Sequence, residues 1–378
     1  MFFENLNILN FRNFVKAKAS FSQKTNLIYG LNAQGKTNLL EAIYLLCLGR
    51  SFRTSSSQEL IKNEASFFTI EGNIILDSGI NKTVFLKCVN DRKKEIGIDH
   101  KRLKRHSEIF GKFPIVVMSP EDYKITLGGP LERRRFVDIF LSQVSVKYIT
   151  HLQEYFRILK QRNKILQNIR EGVPVNEAYL EPWTQSLVNF GSKIINERQK
   201  FINDFSTIIS PIYRQVTESK DELEVSIESS ITKNKNKPTE DNFLDALANV
   251  KNKERILGIT LVGPHRDDMV FKINGLDIRK YGSRGEHKSV LITTKIAEFN
   301  FINQKKEETP IFLLDDYYSE LDNLREEKIF NLLQGLGQTF LTSPKESVFN
   351  RTFQAPVNKK EEVSFFYVEN GQIEQKST

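Results

Sequence analysis

The segment Gly30-Leu31-Asn32-Ala33-Gln34-Gly35-Lys36-Thr37 constrains the fold of this chain most, because it matches the phosphate-loop pattern G-x-x-x-x-G-K-[ST]. It follows the β-prone run Thr25–Tyr29 and precedes apolar residues at helical spacing, namely Leu39, Leu40, Ile43 and Leu46. Such a strand–loop–helix unit turns backbone N–H groups and the positive end of a helix toward a phosphate. We expect Lys36 to bridge the β- and γ-phosphates of a nucleotide and the Thr37 hydroxyl to ligate Mg²⁺.

A second segment supports a nucleotide site. The apolar run Ile311–Leu314 ends at Asp315 and Asp316, which is the form of the metal-binding strand of P-loop ATPases. We expect Asp315 to hold Mg²⁺, directly or through water, and Asp316 to act as the catalytic general base. Lys36 and Asp315 are 279 positions apart, whereas a compact kinase or GTPase closes its site within one short domain. A large insertion therefore separates the two halves of the site.

Hydrophobic periodicity locates that insertion. Apolar residues three or four positions apart between about 130 and 220 predict helices. Strand-like runs precede residue 118 and return after Gly258, at 260–262, 269–273, 311–314, 339–342 and 364–368. The pattern predicts an α/β ATPase lobe formed by residues 1–118 and 256–378, with a helical insertion at residues 119–255. The polar stretch 229–240 is predicted to be a flexible loop.

Composition limits the class of protein. A chain of 378 residues with 39% hydrophobic and 27% charged residues can build substantial cores, which excludes wholesale disorder. The two cysteines, Cys47 and Cys88, cannot form a disulfide framework, which favours a reducing cytosol. No basic signal-peptide region and no apolar run of 18 residues is present, so we expect a cytoplasmic protein without a membrane span. The net charge of +8 favours a polyanionic partner.

Several short motifs resemble those of the RecF family, the bacterial recombination mediator ATPases, and they run almost from end to end of the chain. They are Asn10–Phe14, Gly30–Ile43, Ser119–Asp122, Arg133–Asp138, Leu159–Asn163, Gly263–Asp268, Leu313–Asp316 and Ser319–Asp322. Gly263–Asp268 and the pair Arg162-Asn163 are the most specific, because generic ATPase chemistry requires neither. We expect Gly263–Asp268 to form a polar network that joins the lobes or lies near the nucleotide.

The resemblance implies a P-loop head of the ATP-binding-cassette (ABC) and SMC type, with a mixed sheet, an antiparallel sheet and an inserted, mainly α-helical lobe. It implies an ATP-dependent homodimer in which each ATP lies between one subunit's phosphate loop and the other's signature, where Ser283, Gly285 and Glu286 are the candidate contacts. Arg12 resembles the arginine that approaches the nucleotide in SMC-like heads.

The same resemblance implies slow, DNA-stimulated ATP hydrolysis that serves as a timer. It implies binding to single-stranded, gapped or duplex DNA, and cooperation with RecR and RecO in loading RecA during gap repair and the SOS response. Three basic clusters are candidates for contacts with DNA phosphates: Lys101–Arg105, Arg133–Arg135, and the set Arg157, Lys160, Arg162 and Lys164.

The signature departs from the family pattern. Relatives usually carry Ser-x-Gly-Gln, whereas Glu286 and His287 follow Gly285 in this chain. A neutral Gln can donate a hydrogen bond to a phosphate, but an ionised Glu only accepts and adds negative charge beside a polyanion. We therefore expect ATP to hold this dimer less tightly than in relatives with Gln, by about 1 kcal/mol.

Two other functions are compatible with a P-loop head. A transport-type ATP-binding cassette would couple to a membrane partner, and the large helical insertion disfavours it. An ATPase-linked nuclease needs an acidic Toprim domain after the ATPase, whereas 62 residues follow Asp316. Stimulation of ATP turnover by DNA without cleavage would separate the mediator from both.

Overall fold

The computed structural model describes residues 1–90, 94–174, 176–231, 237–316, 332–333, 335–344 and 363–376. Its contacts divide the chain into two compact units. The first consists of Met1–Tyr123 with Thr294–Thr378, and the second consists of Lys124–Thr293. The motif Ser319–Asp322 and residues 232–236 of the predicted loop lie outside the described residues.

The described strands are β1 (Phe2–Phe11), β2 (Phe14–Ser20), β3 (Thr25–Tyr29), β4 (Phe67–Ile75), β5 (Asn81–Val89), β6 (Glu95–Ile98), β7 (Lys101–Arg102), β8 (Ile115–Met118), β9 (Leu223–Glu228), β10 (Asp268–Ile273), β11 (Leu276–Asp277), β12 (Ile311–Leu314), β13 (Thr339–Ser343), β14 (Val363–Glu369) and β15 (Gln372–Lys376). The described helices are α1 (Lys36–Leu48), α2 (Tyr123–Leu127), α3 (Pro130–Val144), α4 (Val146–Arg170), α5 (Leu180–Thr217), α6 (Thr239–Leu257), α7 (Ile278–Tyr281) and α8 (Arg284–Lys305). None of these helices combines the length and the apolar character needed to cross a membrane.

A six-stranded mixed sheet in the order β15-β14-β3-β13-β12-β8 forms the centre of the first unit. Its strands are parallel except for β15, which runs antiparallel to β14. Every residue of β3, β8, β12 and β13 is buried, as expected for parallel strands covered on both faces. Because the carboxyl ends of parallel strands meet at one edge, the residues that follow β3 and β12 converge there.

The first unit also contains a six-stranded antiparallel sheet, in the order β2-β1-β4-β5-β6-β7. Buried residues alternate with more exposed ones along β4 and β5, as expected for an antiparallel sheet with one face packed on a core. The inner residues of β4 and β5 pack toward α1, the helix that follows the phosphate loop. The phosphate loop therefore starts from one sheet and its helix rests against the other.

The second unit contains the helices α3, α4 and α5, which confirm the helical periodicity between 130 and 220. It extends to Thr293, whereas the predicted insertion ended at residue 255. The reason is that β10 pairs with β9 inside this unit and forms a three-stranded antiparallel sheet with β11. Helix α5 packs against α4 and β9, and α3 packs against β10.

A buried polar network stabilises the second unit, with Arg198 of α5 at its centre. The Arg198 guanidinium is 3% exposed and donates to the Tyr148 hydroxyl (2.9 Å), the Pro264 carbonyl (2.7 Å), Asp138 (2.8 Å) and Asp267 (3.1 Å). Buried charges of this kind persist only when they are paired and hydrogen-bonded.

The motifs Arg133–Asp138 and Gly263–Asp268 meet in this network. Arg133 donates to both carboxylate oxygens of Asp268 at 2.7 and 2.9 Å, and Arg134 donates to the Asp267 carbonyl at 2.7 Å. The His265 ring lies 2.7 Å from the Tyr155 hydroxyl, and burial lowers the pKa of His265 to about 4, so that this ring is neutral near pH 7. The described contacts of Gly263–Asp268 thus give the motif a structural role in the second unit.

The predicted strand at 260–262 is wrong. Side chains, not a neighbouring strand, satisfy the backbone of this segment: the Thr260 N–H donates to Asn163 Oδ1 (2.8 Å) and the Leu261 N–H donates to Glu254 Oε1 (2.9 Å). Arg162 completes the arrangement by donating to the Thr260 hydroxyl (2.7 Å) and to Glu254 Oε2 (2.6 Å). The Arg162-Asn163 motif therefore holds the chain that leaves α6.

Replacing Arg162 with Leu should lower the free energy of unfolding of the second unit by about 3–5 kcal/mol, because the Glu254 carboxylate is left buried without its cation. The Glu254 side chain is 1% exposed, so water does not compensate it. Urea denaturation followed by circular dichroism measures the loss. Arg157→Leu on the same helix is the control, since its pairing with Glu154 is exposed and worth about 0–1 kcal/mol. Equal losses in the two variants would contradict the assignment.

Candidate nucleotide-binding site

Two glycines shape the phosphate loop between β3 and α1. Gly30 has a φ of +150°, and a Cβ there would lie 2.2 Å from the Val368 carbonyl oxygen. Gly35 has a φ of +122°, and a Cβ there would lie 2.8 Å from the Asn13 amide. Only glycine fits these positions, because a side chain would clash and would strain the backbone. The loop therefore delivers the first turn of α1, whose N–H groups have no intrahelical partner, to the edge of the sheet.

Turns on both sides hold the loop at Gln34. The Gln34 carbonyl accepts hydrogen bonds from Asn13 Nδ2 (2.7 Å) and from the Gly371 N–H (3.2 Å). The Gln34 side-chain oxygen accepts from the Asn370 N–H at 2.6 Å. The β1–β2 turn and the β14–β15 turn thus fix the loop from opposite ends of the sequence.

Lys36 is the first residue of α1 and is buried. Its ammonium donates to two carbonyls of its own loop, Gly30 (2.7 Å) and Leu31 (3.0 Å). Burial lowers the pKa of Lys36, and the negative charges of Asp316 and Asp315 oppose that shift. The charged ammonium is thus held by backbone dipoles at the point where the sequence predicts phosphate oxygens.

Asp315 follows β12 and is 4% exposed. Its Oδ1 accepts hydrogen bonds from the Thr37 hydroxyl (2.9 Å) and from the Thr342 hydroxyl (3.0 Å). Burial raises the pKa of Asp315, while these two hydrogen bonds oppose the shift. The structure therefore brings together Thr37 and Asp315, the two residues that the sequence predicts to hold Mg²⁺.

The donor chemistry of this pair fits that ion. Hydroxyl and carboxylate oxygens are the hard ligands that Mg²⁺ prefers, and Mg²⁺ usually takes only one or two protein carboxylates. A cation beside Asp315 would also offset the burial that raises its pKa. Among the described residues, no cluster of three or more His, Cys, Asp and Glu side chains offers a metal site built from protein alone.

Asp316 ends the strand in a left-handed turn with a φ of +44°, which is uncommon for a residue other than glycine. Its N–H donates to the Thr342 hydroxyl at 2.7 Å, so β13 holds the turn. Burial raises the pKa of Asp316, and the positive charge of Lys36 opposes that shift. The predicted general base therefore lies within the electrostatic reach of the predicted phosphate ligand.

Arg12 lies in the turn between β1 and β2 and binds the phosphate-loop helix. Its Nε and Nη2 donate to the two carboxylate oxygens of Glu41 at 2.9 and 2.8 Å, and its Nη1 donates to the Glu59 carbonyl at 2.9 Å. The Glu41 side chain is fully buried and also accepts a hydrogen bond from the Ser51 hydroxyl. A contact between Arg12 and a nucleotide stays a prediction.

Arg53 and Thr342 also lie at the site, although no sequence motif predicts them there. Arg53 donates to Asn38 Oδ1 (2.8 Å) and lies 3.5 Å from Glu41, and its positive charge opposes the rise that burial causes in the pKa of Asp315. Its side chain is 39% exposed, so it remains accessible. Thr342 carries no local signal beyond its position at the carboxyl end of a predicted strand, where a hydroxyl can reach the neighbouring strand ends.

The predicted signature residues lie in the second unit, at the start of α8. The Ser283 N–H donates to Glu286 Oε2 (2.7 Å), and the Glu286 N–H donates to the Ser283 hydroxyl (3.2 Å). This reciprocal pair is a capping box, in which an acid at the third helical position is favourable. Ser283 and Gly285 are exposed. Glu286, the departure from the family pattern, therefore stabilises the helix start that carries the signature.

The basic clusters differ in their accessibility. Arg133 and Arg162 are 1% and 3% exposed and are paired with Asp268 and Glu254, so their prediction as DNA contacts is wrong. Their positive charges are neutralised by these carboxylates inside the second unit. Exposed members remain in the other clusters, namely Lys101, Arg102, Lys104, Arg105, Arg157, Lys160 and Lys164.

Comparison with known proteins identifies the family. A protein-family model described as the RecF/RecN/SMC N-terminal domain matches residues 2–370 of this chain. The DNA replication and repair protein RecF of Lachnoclostridium phytofermentans is 37% identical over 356 residues, which cover 93% of this chain and 95% of that protein. The chain belongs to the RecF family. The resemblance seen in the short motifs is therefore confirmed.

Solved structures agree with this assignment. A structure described as the recombination mediator protein RecF-ATP in the RecFOR pathway is 31% identical, with a TM-score of 0.90 over 100% of this chain and 98% of that one. The Smc head domain of Pyrococcus furiosus, solved with the C-terminal domain of ScpA, is 16% identical with a TM-score of 0.56 over 100% of this chain and 96% of that one. The predicted ABC and SMC-type fold class of this RecF-family chain is thereby confirmed.

Replacing Lys36 with Met should weaken the binding of a nucleoside triphosphate about ten- to hundredfold, because a charge-assisted contact worth about 1.5–3 kcal/mol is lost. Calorimetric titration with a non-hydrolysable triphosphate measures the affinity. Lys24→Met, at an exposed lysine just before β3, is the matched control and should bind like the parent. Parental affinity in Lys36→Met would remove the phosphate role from this residue.

Proposed function

We propose that this chain is an ATP-dependent, DNA-binding recombination mediator that acts in cytoplasmic DNA repair and replication. The observation that carries the proposal is the site in the first unit, where Lys36, Thr37, Asp315 and Asp316 come together from distant parts of the sequence. Membership of the RecF family supports the pathway, since relatives are DNA replication and repair proteins and one was solved as RecF-ATP.

In this proposal the phosphate loop exchanges internal partners for ATP. Lys36 leaves the carbonyls of Gly30 and Leu31 and pairs with β- and γ-phosphate oxygens, which restores a full counter-charge to a buried ammonium. Thr37 and Asp315 would hold Mg²⁺, which would neutralise charge on the phosphates when bound. Arg12 binds α1 through Glu41, and we propose that it also approaches the bound nucleotide.

Asp316 would act on the attacking water. Its raised pKa makes it a stronger base than an ordinary aspartate. We propose that Asp316 orients the water and accepts its proton as the oxygen attacks the γ-phosphorus, while the bond from that phosphorus to the β–γ bridging oxygen breaks and ADP leaves. Slow, DNA-stimulated hydrolysis of this kind would serve as a timer for the ATP-bound state.

The ATP-bound state is proposed to be a homodimer. Each ATP would lie between the phosphate loop of one subunit and the start of α8 of the other, where Ser283 and Gly285 are exposed at the positive end of the helix dipole. The Glu286 carboxylate already accepts a hydrogen bond from the Ser283 N–H. This bond partly compensates the negative charge of Glu286 and so reduces its repulsion of the phosphates.

DNA would be held through its phosphates. Of the exposed basic residues, we propose Lys101, Arg102, Lys104 and Arg105 as the DNA surface, because these four lie within five consecutive positions. Their contacts with phosphates carry affinity without sequence preference. Single-stranded, gapped and duplex DNA are the proposed substrates, with RecR and RecO as partners in loading RecA. A cytoplasmic location is part of the same proposal.

Replacing Asp316 with Asn should trap the ATP-bound dimer and slow hydrolysis about 10²–10⁴-fold, because the base is removed while Lys36, Thr37 and Asp315 still hold the nucleotide and metal. Phosphate release measures turnover, and sedimentation with ATP and a gapped duplex measures the complex. Asp241→Asn, at an exposed aspartate of α6, is the control. Normal turnover in Asp316→Asn would assign the base elsewhere, and a parent that neither dimerises nor binds the duplex with ATP would refute the function.

Replacing Glu286 with Gln should tighten ATP-dependent dimerisation several-fold, since Gln still completes the capping box and adds a donor toward the partner's phosphate. Ser283→Arg should block the dimer through steric and charge conflict. Mixing Lys36→Met with Ser283→Arg subunits restores one intact composite site and should recover part of the lost turnover. No recovery in the mixture, together with normal dimerisation of Ser283→Arg alone, would rule out the shared site.

A further inference from the structure

Helix α4 carries an exposed stripe that neither the nucleotide site nor the buried polar network uses. The stripe consists of Phe156, Lys160, Lys164 and Gln167, which are exposed and lie three or four positions apart, so they share one face of the helix. On the opposite side of α4, Arg162 is buried against Glu254. One face of α4 is therefore buried in the second unit, and the other face is exposed.

The chain that leaves α6 runs along this stripe and forms a groove of about 520 Å³ with it. Thr260 is held by Asn163, and the Arg170 guanidinium donates to the Leu257 carbonyl at 3.4 Å. At Gly258 the approach is close, since an added Cβ would lie 3.3 Å from the Gln167 Cα. These contacts fix both walls, so the groove is preformed.

The groove exposes apolar surface. Phe156 is 45% exposed on one wall and Ile259 is 40% exposed on the other, while Leu257 and Ile256 beside them are 49% and 71% exposed. Scattered apolar residues are ordinary on a protein surface, but several that adjoin one groove indicate an interaction site.

The rim of the groove is positively charged. Lys160 and Lys164 have no acidic partner within the part of the chain that the structure describes. The acids around them are already paired, because Glu154 binds Arg157, Glu171 binds Arg170 and Glu254 binds Arg162. The two lysines are therefore left to attract a negative group from outside the chain.

We propose that this groove binds an acidic, amphipathic segment of a partner protein. Apolar side chains of the segment pack on Phe156 and Ile259, and its carboxylates pair with Lys160 and Lys164. The inference rests on the proposed function, because it assigns a docking surface to a protein partner of the mediator. DNA matches the groove less well, since phosphates would satisfy the lysines but leave the apolar walls without apolar partners.

The test uses a pair of double variants on the same helix. Phe156→Glu with Lys160→Glu alters the groove. Val146→Glu with Lys147→Glu makes the same change of charge, and also replaces an exposed apolar residue, at the other end of α4, where Val146 is 66% exposed. Purified RecR, purified RecO and a gapped duplex with ATP are the probes, each measured by biolayer interferometry. Affinity for RecR or RecO should fall at least tenfold in the groove variant and less than twofold in the control. Duplex affinity should change by the same factor in the two variants, because each reverses the charge of one exposed lysine of α4 and the proposed duplex surface is Lys101–Arg105.

A neutral variant guards against misfolding. Lys160→Ala with Lys164→Ala keeps a strong helix former at both positions and should weaken the same partner several-fold, with a smaller dependence on salt. Equal binding of RecR and RecO by the groove and control variants would overturn the proposal, as would a parent that binds neither protein.

Selective loss of duplex binding in the groove variant, with partner binding intact, would identify a nucleic-acid surface and also overturn the proposal. The parent's ATP-dependent binding to the duplex reports on the proposed function separately. A parent that binds a partner through the groove but not the gapped duplex would keep this inference and refute the mediator function.

Discussion

The architecture of the first unit depends on the contact between Asp315 and Thr37. The buried Asp315 carboxyl group must lie beside the Thr37 hydroxyl, which comes 278 positions earlier in the chain. Both residues follow parallel strands, so their shared edge is the natural meeting point, and β13 between them contributes Thr342 to the same oxygen. The cost of closing a loop grows only with the logarithm of its length. The 170 residues from Lys124 to Thr293 can therefore form a unit of their own without weakening the sheet that they interrupt.

The electrostatics of the site follow from this arrangement. Asp315 and Asp316 at a strand end and Lys36 at a helix start are removed from water together. Burial raises the pKa of both carboxyl groups and lowers the pKa of the lysine, so it disfavours the charged form of each group. Backbone carbonyls compensate Lys36, and hydroxyls compensate Asp315. These compensations are weaker than full ionic partners, so the geometry favours a ligand that brings both negative phosphate and a cation.

Features written in contiguous sequence could be predicted, and features that depend on distant partners could not. The phosphate loop, Asp315 and the long helices could be predicted, because each is indicated by the spacing of residues that are close together in the sequence. The segment at Thr260 reads as a strand, yet side chains from α4 and α6 bind its backbone. Arg162 reads as part of a basic run, yet its partner Glu254 lies 92 positions away and draws it into the interior. Thr342 is an ordinary strand residue until the fold places it beside Asp315.

The position of β3 between β13 and β14 governs the order in which this protein can mature on the ribosome. Tyr29 is synthesised 310 positions before Thr339, a delay of about 15–60 s at ordinary translation rates. Throughout that time a fully buried strand has neither neighbour, and both of its edges are open to wrong pairing. The second unit is continuous and has all its strands much earlier. The unit that begins first in the nascent chain is therefore the last to be completed.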